Sequence, residues 1–294
     1  MKIRDLYRPG RQAFSFEFFP PKTEDGETRL FETIAQLKAL QPSFVSVTYG
    51  AMGTTRENTL RIVSRIQNEI GIEAAAHLTC VGHTKEEIVK VLGELKRHGI
   101  ENIVALRGDP PQGAAEFRPV DGGFRYAAEM VRFIRQNLAL SESFSLAVAG
   151  YPEGHLECKD KQKDLEHLKA KVDAGGDAVI TQLFFDNRDY FDFVQRARKV
   201  GIQKPIVPGI MPVTHGPQIQ KFAQMCGARI PEIMRETIQR YGEDQKAVEA
   251  YGIEYATRQC EELLRNDVPG LHFYTLNKSN ATRQIHANLG LIRK

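Results

Sequence analysis

Cysteine is scarce in this sequence, with four residues in 294. Cys80, Cys158, Cys226 and Cys260 form no CxxC pair and no spacing typical of a zinc site, so we predict no metal centre. Isolated cysteines of this kind are typical of reduced thiols in the cytosol. No apolar run is as long as a membrane span, and the charged start MKIRDLYRPGR has no signal-peptide core. We therefore expect a cytoplasmic protein without a membrane partner.

An excess of one charge sign is also missing. The chain has 40 Lys and Arg residues against 37 Asp and Glu residues, a formal charge of +3, and the two signs are interspersed. This pattern excludes the basic stripe of a typical nucleic-acid-binding protein, although it is compatible with an anionic small-molecule substrate. The hydrophobic content of 41% and charged content of 26% are normal for a globular protein, which excludes a disordered or fibrous chain.

The glycine-rich loops of nucleotide-binding open sheets are absent as well. No two glycines stand in GxG spacing, and the segment GDPPQGA at 108–114 lacks the lysine and serine of a phosphate-binding loop. A doubly wound open sheet normally carries such a loop after its first strand, so this architecture is disfavoured. The sequence also has no linker, low-complexity tract or internal repeat that would indicate a second domain.

The sequence does contain a regular alternation of short β-rich segments and segments with helical periodicity. One helix is predicted to begin after Thr84, which forms a capping-box pattern with Glu87. Eight such units favour the α/β class and a (β/α)8 TIM barrel, with residues 1–294 as a single domain. The connection 213–269 is long enough for two or three helices. The predicted strands cover 14–19, 44–50, 73–80, 102–109, 144–152, 178–186, 205–212 and 270–277.

Polar residues collect at the carboxyl ends of these predicted strands, where the active sites of TIM barrels form. Each has an alternative structural explanation, since a lone histidine such as His77 is often a core residue and Lys278 fits a solvated loop. Their convergence on one end of the barrel nevertheless predicts a functional site. The residues are Glu17, Thr48, His77, Arg107, Asp109, Tyr151, Glu153, His155, Gln182, Asn277 and Lys278.

Glu17 is a single carboxylate among four phenylalanines in the stretch FSFEFFPPK. The period-two alternation of a strand places Ser15, Glu17 and Phe19 on one face, with Ser15 facing the barrel interior. An apolar setting raises the pKa of a carboxyl group, which predicts a protonated Glu17 able to act as a general acid. The alternative is a salt bridge with Lys22 or with an arginine at the barrel end.

The sequence contains, in order, the segments FSFEFFPPK, FVSVTYGA, AAAHLTC, VALRGDPP, VAGYPEGH, KVDAGGDAVITQLFFD, VPGIMPV and HFYTLN. Together these eight motifs resemble those of the methylenetetrahydrofolate reductases, of the bacterial type that consists of the catalytic domain. The resemblance implies a (β/α)8 flavoprotein that binds FAD without a Rossmann fingerprint. It also implies reduction of 5,10-methylenetetrahydrofolate to 5-methyltetrahydrofolate with NADH or NADPH, in a ping-pong reaction through one shared site, and assembly into a homo-oligomer.

The resemblance also implies roles for individual residues. Glu17 corresponds to the general acid that protonates the bridging nitrogen of the folate, and Asp109 to the aspartate beside flavin and pterin. Gln182, Gln218 and Phe222 correspond to further substrate contacts, together with Lys278. The implied FAD contacts are Thr48, His77, Arg107, Gly108, Asp109, Tyr126, Tyr151, His155, Asp164, His167 and Lys171.

Two positions depart from the family pattern. Lys278 stands where an arginine is common, which keeps the charge but loses the bidentate fork. Ala170, next to Lys169, stands where an arginine of the FAD-contacting helix is expected. The chain ends at Lys294 without the regulatory extension of the eukaryotic members, so we expect no feedback by S-adenosylmethionine.

Two other functions compete with this interpretation. A Schiff-base aldolase or decarboxylase needs a lysine within an apolar strand end, and no predicted strand interior carries one. A flavin- or folate-binding carrier is compatible with the fold, although a binder has no use for a buried acid.

Overall fold

Eight parallel strands close into a barrel in chain order, and β1 pairs with β8. The structure is a computed structural model that describes residues 1–8, 10–49, 53–110, 113 and 116–291. The predicted α/β class and (β/α)8 barrel are therefore confirmed. The strands are β1 Ala13–Phe18, β2 Phe44–Val47, β3 Ala74–Thr79, β4 Asn102–Leu106, β5 Ser145–Gly150, β6 Ala178–Leu183, β7 Ile206–Ile210 and β8 Gly270–Tyr274.

The helices form the outer layer, and the predicted capping box of Thr84 and Glu87 begins one of them. The connection between the last two strands holds three helices, in agreement with the prediction. Within the described part of the chain, no helix is both long and apolar enough to cross a membrane. The helices are α1 Glu24–Lys38, α2 Gly53–Arg65 with a π-helical continuation Ile66–Ile70, α3 Lys85–Arg97, α4 Ala127–Gln136, α5 Lys161–Asp173, α6 Asn187–Lys199, α7 Gly216–Cys226, α8 Glu232–Tyr241, α9 Gln245–Arg265 and α10 Asn280–Asn288.

The strands end earlier than predicted. β2 ends at Val47; the N–H of Thr48 still donates to the carbonyl of Phe18 at 2.8 Å, but its own carbonyl accepts a hydrogen bond from the Thr59 hydroxyl at 3.0 Å. The predicted strands were longer because the residues that follow each strand still fit the sequence pattern of a strand, although they lie in the loops. Gly50 of the predicted second strand and part of the segment 108–114 lie outside the described residues.

Apolar packing closes the amino-terminal end of the barrel and leaves polar groups at the other. Ile3 and Leu6, from the 3₁₀ turn Ile3–Asp5 and the residue after it, pack with inward residues such as Phe44 and Ala147. The side chain of Asn102 accepts a hydrogen bond from the backbone N–H of Ile3 at 2.7 Å. Each buried Ile or Leu side chain contributes about 1.5–3 kcal/mol. This apolar packing fills the amino-terminal end of the barrel, so the carboxyl ends of the strands are the end at which a ligand can bind.

Candidate active site

Glu17 lies at the carboxyl end of the barrel between two imidazoles. Its Oε2 is 3.1 Å from Nε2 of His77 on β3 and 3.3 Å from Nε2 of His272 on β8. The hydroxyl of Ser46 on β2 donates to the same oxygen at 3.4 Å. Both histidines are buried, so the carboxylate and its partners are largely shielded from water. Three strands besides β1 therefore converge on one carboxylate.

The structure contradicts the raised pKa predicted for Glu17. Burial does raise this pKa, but the charge of His77 and the hydrogen bonds and charge of His272 and His77 outweigh burial and lower it to about 2. Glu17 is therefore ionised in this arrangement. Its partners are imidazoles, so the alternative of a bridge to Lys22 or an arginine is also wrong.

His272 extends the group toward the barrel interior and was not predicted as a site residue. Its Nδ1 is 2.8 Å from the hydroxyl of Ser15, which faces inward as the alternation indicated. Ser15 and His272 are opposite each other in the pairing of β1 with β8. The period of β8 could have identified His272, because Leu271 and Phe273 are apolar and face the other way. Ser15, His272, Glu17 and His77 thus form one line of polar contacts, which Ser46 joins at Glu17.

The β6 to β8 side of the mouth is built around a buried phenol. The hydroxyl of Tyr274 donates to the carbonyl of Thr181 at 2.6 Å, and burial raises the pKa of Tyr274 well above its usual range. Gly209 lies against this ring, since a Cβ there would come within 2.6 Å of it. Gln182 follows Thr181 at the rim, and its carbonyl oxygen accepts a hydrogen bond from the Leu183 N–H at 2.9 Å. Tyr274 is therefore a fixed neutral donor beside the predicted substrate residue Gln182.

A second group of predicted residues comes together between β5 and α5. The ammonium of Lys171 donates to the carbonyl of Ala149 at 2.6 Å and lies 5.5 Å from the ring centroid of Tyr151. Burial lowers the pKa of Lys171 to about 8, against the opposing charge of Asp164. The ring of His155 meets the Tyr151 ring edge-on at 4.6 Å. Four of the predicted cofactor contacts thus form one cluster.

Burial raises the pKa of two of these groups. The pKa of Asp164 rises because the side chain is buried, although the charges of Lys171 and His155 oppose the shift. The pKa of Tyr151 rises to about 12, by burial first and then by the charges of Asp164 and Asp109. Asp109 itself is exposed. Because its charge raises the pKa of Tyr151, it lies at the same end of the barrel as the cluster. The cluster is therefore a shielded pocket wall with an acidic residue at its edge.

Arg107 has a carboxylate partner that was not predicted. Its guanidinium forms two hydrogen bonds with Glu157, Nη1 to Oε2 at 2.5 Å and Nη2 to Oε1 at 2.6 Å, and lies 5.1 Å from the Phe117 ring centroid. The hydrogen bond with Glu157 raises the pKa of Arg107. Gly108 follows with φ of +85°, and a Cβ there would lie 2.7 Å from Val81, so the position requires glycine. An anion that binds Arg107 must therefore compete with Glu157 for the guanidinium.

The remaining predicted residues lie around the rim. Tyr126 and His167 stack at a centroid distance of 6.5 Å, and Tyr126 is half exposed. The carboxylate of Glu153 accepts the Arg229 N–H at 3.0 Å, and burial raises the pKa of Glu153 to about 7. The side-chain amide of Asn277 accepts a hydrogen bond from the N–H of Phe19 and donates one to its carbonyl, which ties the loop after β8 to the end of β1. The others are Thr48 after β2, Gln218 and Phe222, half-buried on α7, Ala170 on α5, and Lys278, exposed before α10.

The fold and this mouth together define an α/β-barrel protein with a built polar site at the carboxyl ends of its strands. The family model for methylenetetrahydrofolate reductase matches residues 2–290, and the chain belongs to that family. The resemblance seen in the eight motifs is thereby confirmed.

Relatives in plants and bacteria agree with this assignment. The chain is 42% identical to methylenetetrahydrofolate reductase (NADH) 1 of Arabidopsis thaliana over 99% of its length, but spans only 50% of that protein. It is 39% identical to 5,10-methylenetetrahydrofolate reductase of Escherichia coli K12, over 96% of this chain and 92% of that protein. The chain thus spans about half the length of the plant relative and most of the bacterial one.

A solved structure supports the fold independently. It is an uncharacterized protein from Clostridium thermocellum that binds two copies of 5-methyl-5,6,7,8-tetrahydrofolic acid. Its TM-score is 0.60 at 16% identity, over 96% of this chain and 93% of that one. At this identity the likeness concerns the barrel alone.

Proposed function

We propose that this protein reduces 5,10-methylenetetrahydrofolate to 5-methyltetrahydrofolate, with FAD as its cofactor and NADH or NADPH as the electron donor in a ping-pong reaction. The observation that carries the proposal is the Glu17 carboxylate held between His77 and His272 at the barrel mouth. Family membership and the name of the Escherichia coli relative support the substrate class.

The described residues fit a large cofactor with flat rings and a diphosphate. Among the described residues, the buried hydroxyl of Thr79 has no hydrogen-bond partner, so it can bond to a ligand. Arg107 and Lys171 would hold the diphosphate, and the rings of Tyr151 and Tyr126 offer packing surfaces for flavin or adenine. When bound, FAD supplies the hydride chemistry that links the nicotinamide and folate half-reactions.

The residues around Glu17 provide a route for the proton that the folate half-reaction needs. The two imidazoles beside Glu17 are placed to pass it this proton, because their Nε2 atoms lie 3.1 and 3.3 Å from its Oε2. The Ser15 hydroxyl fixes the orientation of the His272 ring, and Nε2 of that ring faces the carboxylate. Glu17 then passes the proton to the bridging nitrogen of the folate, which opens the five-membered ring. We propose Asp109 and Gln182 as the groups that hold the pterin.

The Schiff-base alternative is disfavoured by the strands themselves. None of the described strands contains a lysine, and Lys171 on α5 is engaged by the carbonyl of Ala149. A non-enzymatic carrier remains the other alternative, and it differs from the proposal in turnover.

The colour of the purified protein tests the proposal. We expect the visible absorbance of oxidised flavin, bleached anaerobically by NADH or NADPH and restored by 5,10-methylenetetrahydrofolate as 5-methyltetrahydrofolate forms. A protein that bleaches but is not restored by the folate would be a different flavin enzyme. A colourless protein that cannot be reconstituted with FAD would overturn the proposal.

A further inference from the structure

Three side chains with metal-ligand chemistry lie together at the amino-terminal half of α5. The ligand atoms of Cys158, Asp164 and His167 are all within 4.8 Å of one another. Asp164 and His167 are three residues apart on the helix and therefore share a face, and Cys158 precedes the helix in the loop. We propose that these three residues bind a divalent cation of the zinc class.

The donor set selects this class of cation. Thiolate, imidazole and carboxylate are the three protein ligand types of Zn²⁺, whereas Mg²⁺ and Ca²⁺ prefer oxygen ligands alone. Tetrahedral zinc with its usual bond lengths separates its ligand atoms by about 3.5 Å. Three protein ligands leave the fourth position to water.

The loop that carries Cys158 is already fixed in place. The backbone N–H of Cys158 donates to the His155 carbonyl at 2.8 Å, and the Cys158 thiol donates to the Asp160 carbonyl at 3.5 Å. The side chain of Asp160 caps α5 by accepting from the N–H groups of Gln162 and Lys163. Asp164 is only 8% exposed, so its carboxylate is held by its surroundings. Binding therefore orders few additional groups, which lowers its entropic cost.

Cation binding needs a deprotonated thiol, so the Cys158 proton leaves to solvent as the metal–sulfur bond forms. The sequence pattern C-x5-D-x2-H is not a usual zinc spacing, which is why the cysteine spacing predicted no metal. Only the folded loop brings the thiol to the helix face. Among the residues that the structure describes, this is the one group of three such ligands that meets within that distance.

The site has a consequence for the cofactor. Asp164 and His167 are both proposed FAD contacts, so a bound cation occupies groups that FAD needs. Zinc and FAD should therefore exclude each other, and free zinc should slow cofactor loading. This consequence, unlike the metal site itself, rests on the proposed function.

Cobalt provides the direct test, because thiolate–Co²⁺ coordination gives a near-ultraviolet charge-transfer band. Flavin-free full-length protein should develop this band with one equivalent of Co²⁺, and Zn²⁺ should abolish it. Cys158→Ala should lose the band and weaken Zn²⁺ binding by at least the ~10–100-fold typical of lost metal-site partners. Cys226→Ala, which removes another half-buried thiol, should keep it. No band in the parent, or a band that survives in Cys158→Ala, would overturn the metal site.

Two further measurements separate the possible failures. Cys158→Ser and far-ultraviolet circular dichroism establish whether a lost band reflects a lost ligand or a misfolded loop, since serine keeps the size of the side chain. FAD titrations with increasing Zn²⁺ should show weaker FAD binding in the parent and unchanged binding in Cys158→Ala. Simultaneous binding of both would overturn the exclusion. A protein that never binds FAD would refute the proposed function while the cobalt band still reports on the metal site.

Discussion

At the scale of single residues, the charge of Glu17 is set by side chains that arrive from other strands. Glu17→Gln keeps the shape and the contacts with His77 and His272 but cannot transfer a proton. We expect flavin reduction by nicotinamide to survive and the folate half-reaction to fall by ~10²–10⁴-fold, the usual contribution of a general acid. Rapid-reaction traces of the two half-reactions measure this directly. Equal slowing of both would show that Glu17 positions the flavin instead.

His272 is expected to tune that proton transfer. His272→Asn retains a polar group near the Ser15 hydroxyl and removes Nε2, one of the contacts that lower the pKa of Glu17. Burial then has less opposition, so the pKa of Glu17 rises from about 2. The folate half-reaction should keep its rate to higher pH than in the parent.

The pH profile of this half-reaction is the measurement, with Ser15→Ala as the matched control. Ser15→Ala removes the partner of Nδ1 while Nε2 stays beside Glu17, so its profile should move less. Identical profiles for His272→Asn and the parent would mean that His272 has no influence on the acid.

Much of this residue-level picture was not readable from the sequence. The rule that active sites form at strand ends led to the prediction of Glu17, His77 and Tyr151 as site residues. It could not identify the partners of Glu17 and Arg107. His272 reaches Glu17 only because the barrel closes, and Glu157 reaches Arg107 only because the loop after β5 folds back. The neighbouring phenylalanines suggested a raised pKa, and burial does raise it, but the prediction was wrong because the sequence did not show that His77 and His272 lie beside the carboxylate and lower its pKa.

At the scale of elements, the loop between β5 and α5 carries Glu157, whose carboxylate pairs with the guanidinium of Arg107 just after β4. Glu157 is half exposed in its pairing with Arg107, so the pair is screened and contributes at most about 1 kcal/mol. Glu157→Gln should release Arg107 for the cofactor diphosphate and raise FAD affinity by about two- to fivefold.

The control for this change is Glu166→Gln, which removes the same charge from an exposed position on α5. FAD titration of flavin-free protein compares the two variants with the parent. If Glu157→Gln weakened FAD binding while Glu166→Gln did not, Glu157 would be orienting Arg107 for the ligand.

The elements themselves followed from the sequence more closely than the site did. Each of the eight predicted strands is present and in order, because alternating strand and helix periods leave few topologies. Their carboxyl ends were predicted too long. Thr48 and Arg107 continue the sequence pattern of a strand, but each makes a single backbone hydrogen bond to the neighbouring segment, with Phe18 and Val81, just beyond the regular strands.

At the scale of the whole molecule, barrel closure packs a histidine against the seam between the first and last strands. His286 on α10 lies 5.3 Å from the ring of Phe14, 5.5 Å from that of Phe16 and 5.4 Å from that of Phe273. Burial lowers the pKa of His286 from 6.5 to about 4. Its Nε2 is buried and has no hydrogen-bond partner in the part of the chain that the structure describes. The folded molecule therefore holds His286 in the neutral form.

This histidine makes the barrel sensitive to acid. The unfolded chain binds the His286 proton with a pKa near 6.5, above that of the folded chain, so stability is full above pH 6.5 and falls as the pH drops toward 4. The loss amounts to at most about 3 kcal/mol at the lower end. His286→Leu removes the proton uptake and keeps apolar packing, so its free energy of unfolding should depend less on pH by that amount. Urea unfolding between pH 7 and pH 4.5 measures the difference. His98→Leu, an exposed histidine after α3, should follow the parent. Parallel losses in His286→Leu and the parent would show that carboxylates, and not this histidine, govern the acid sensitivity of the closed barrel.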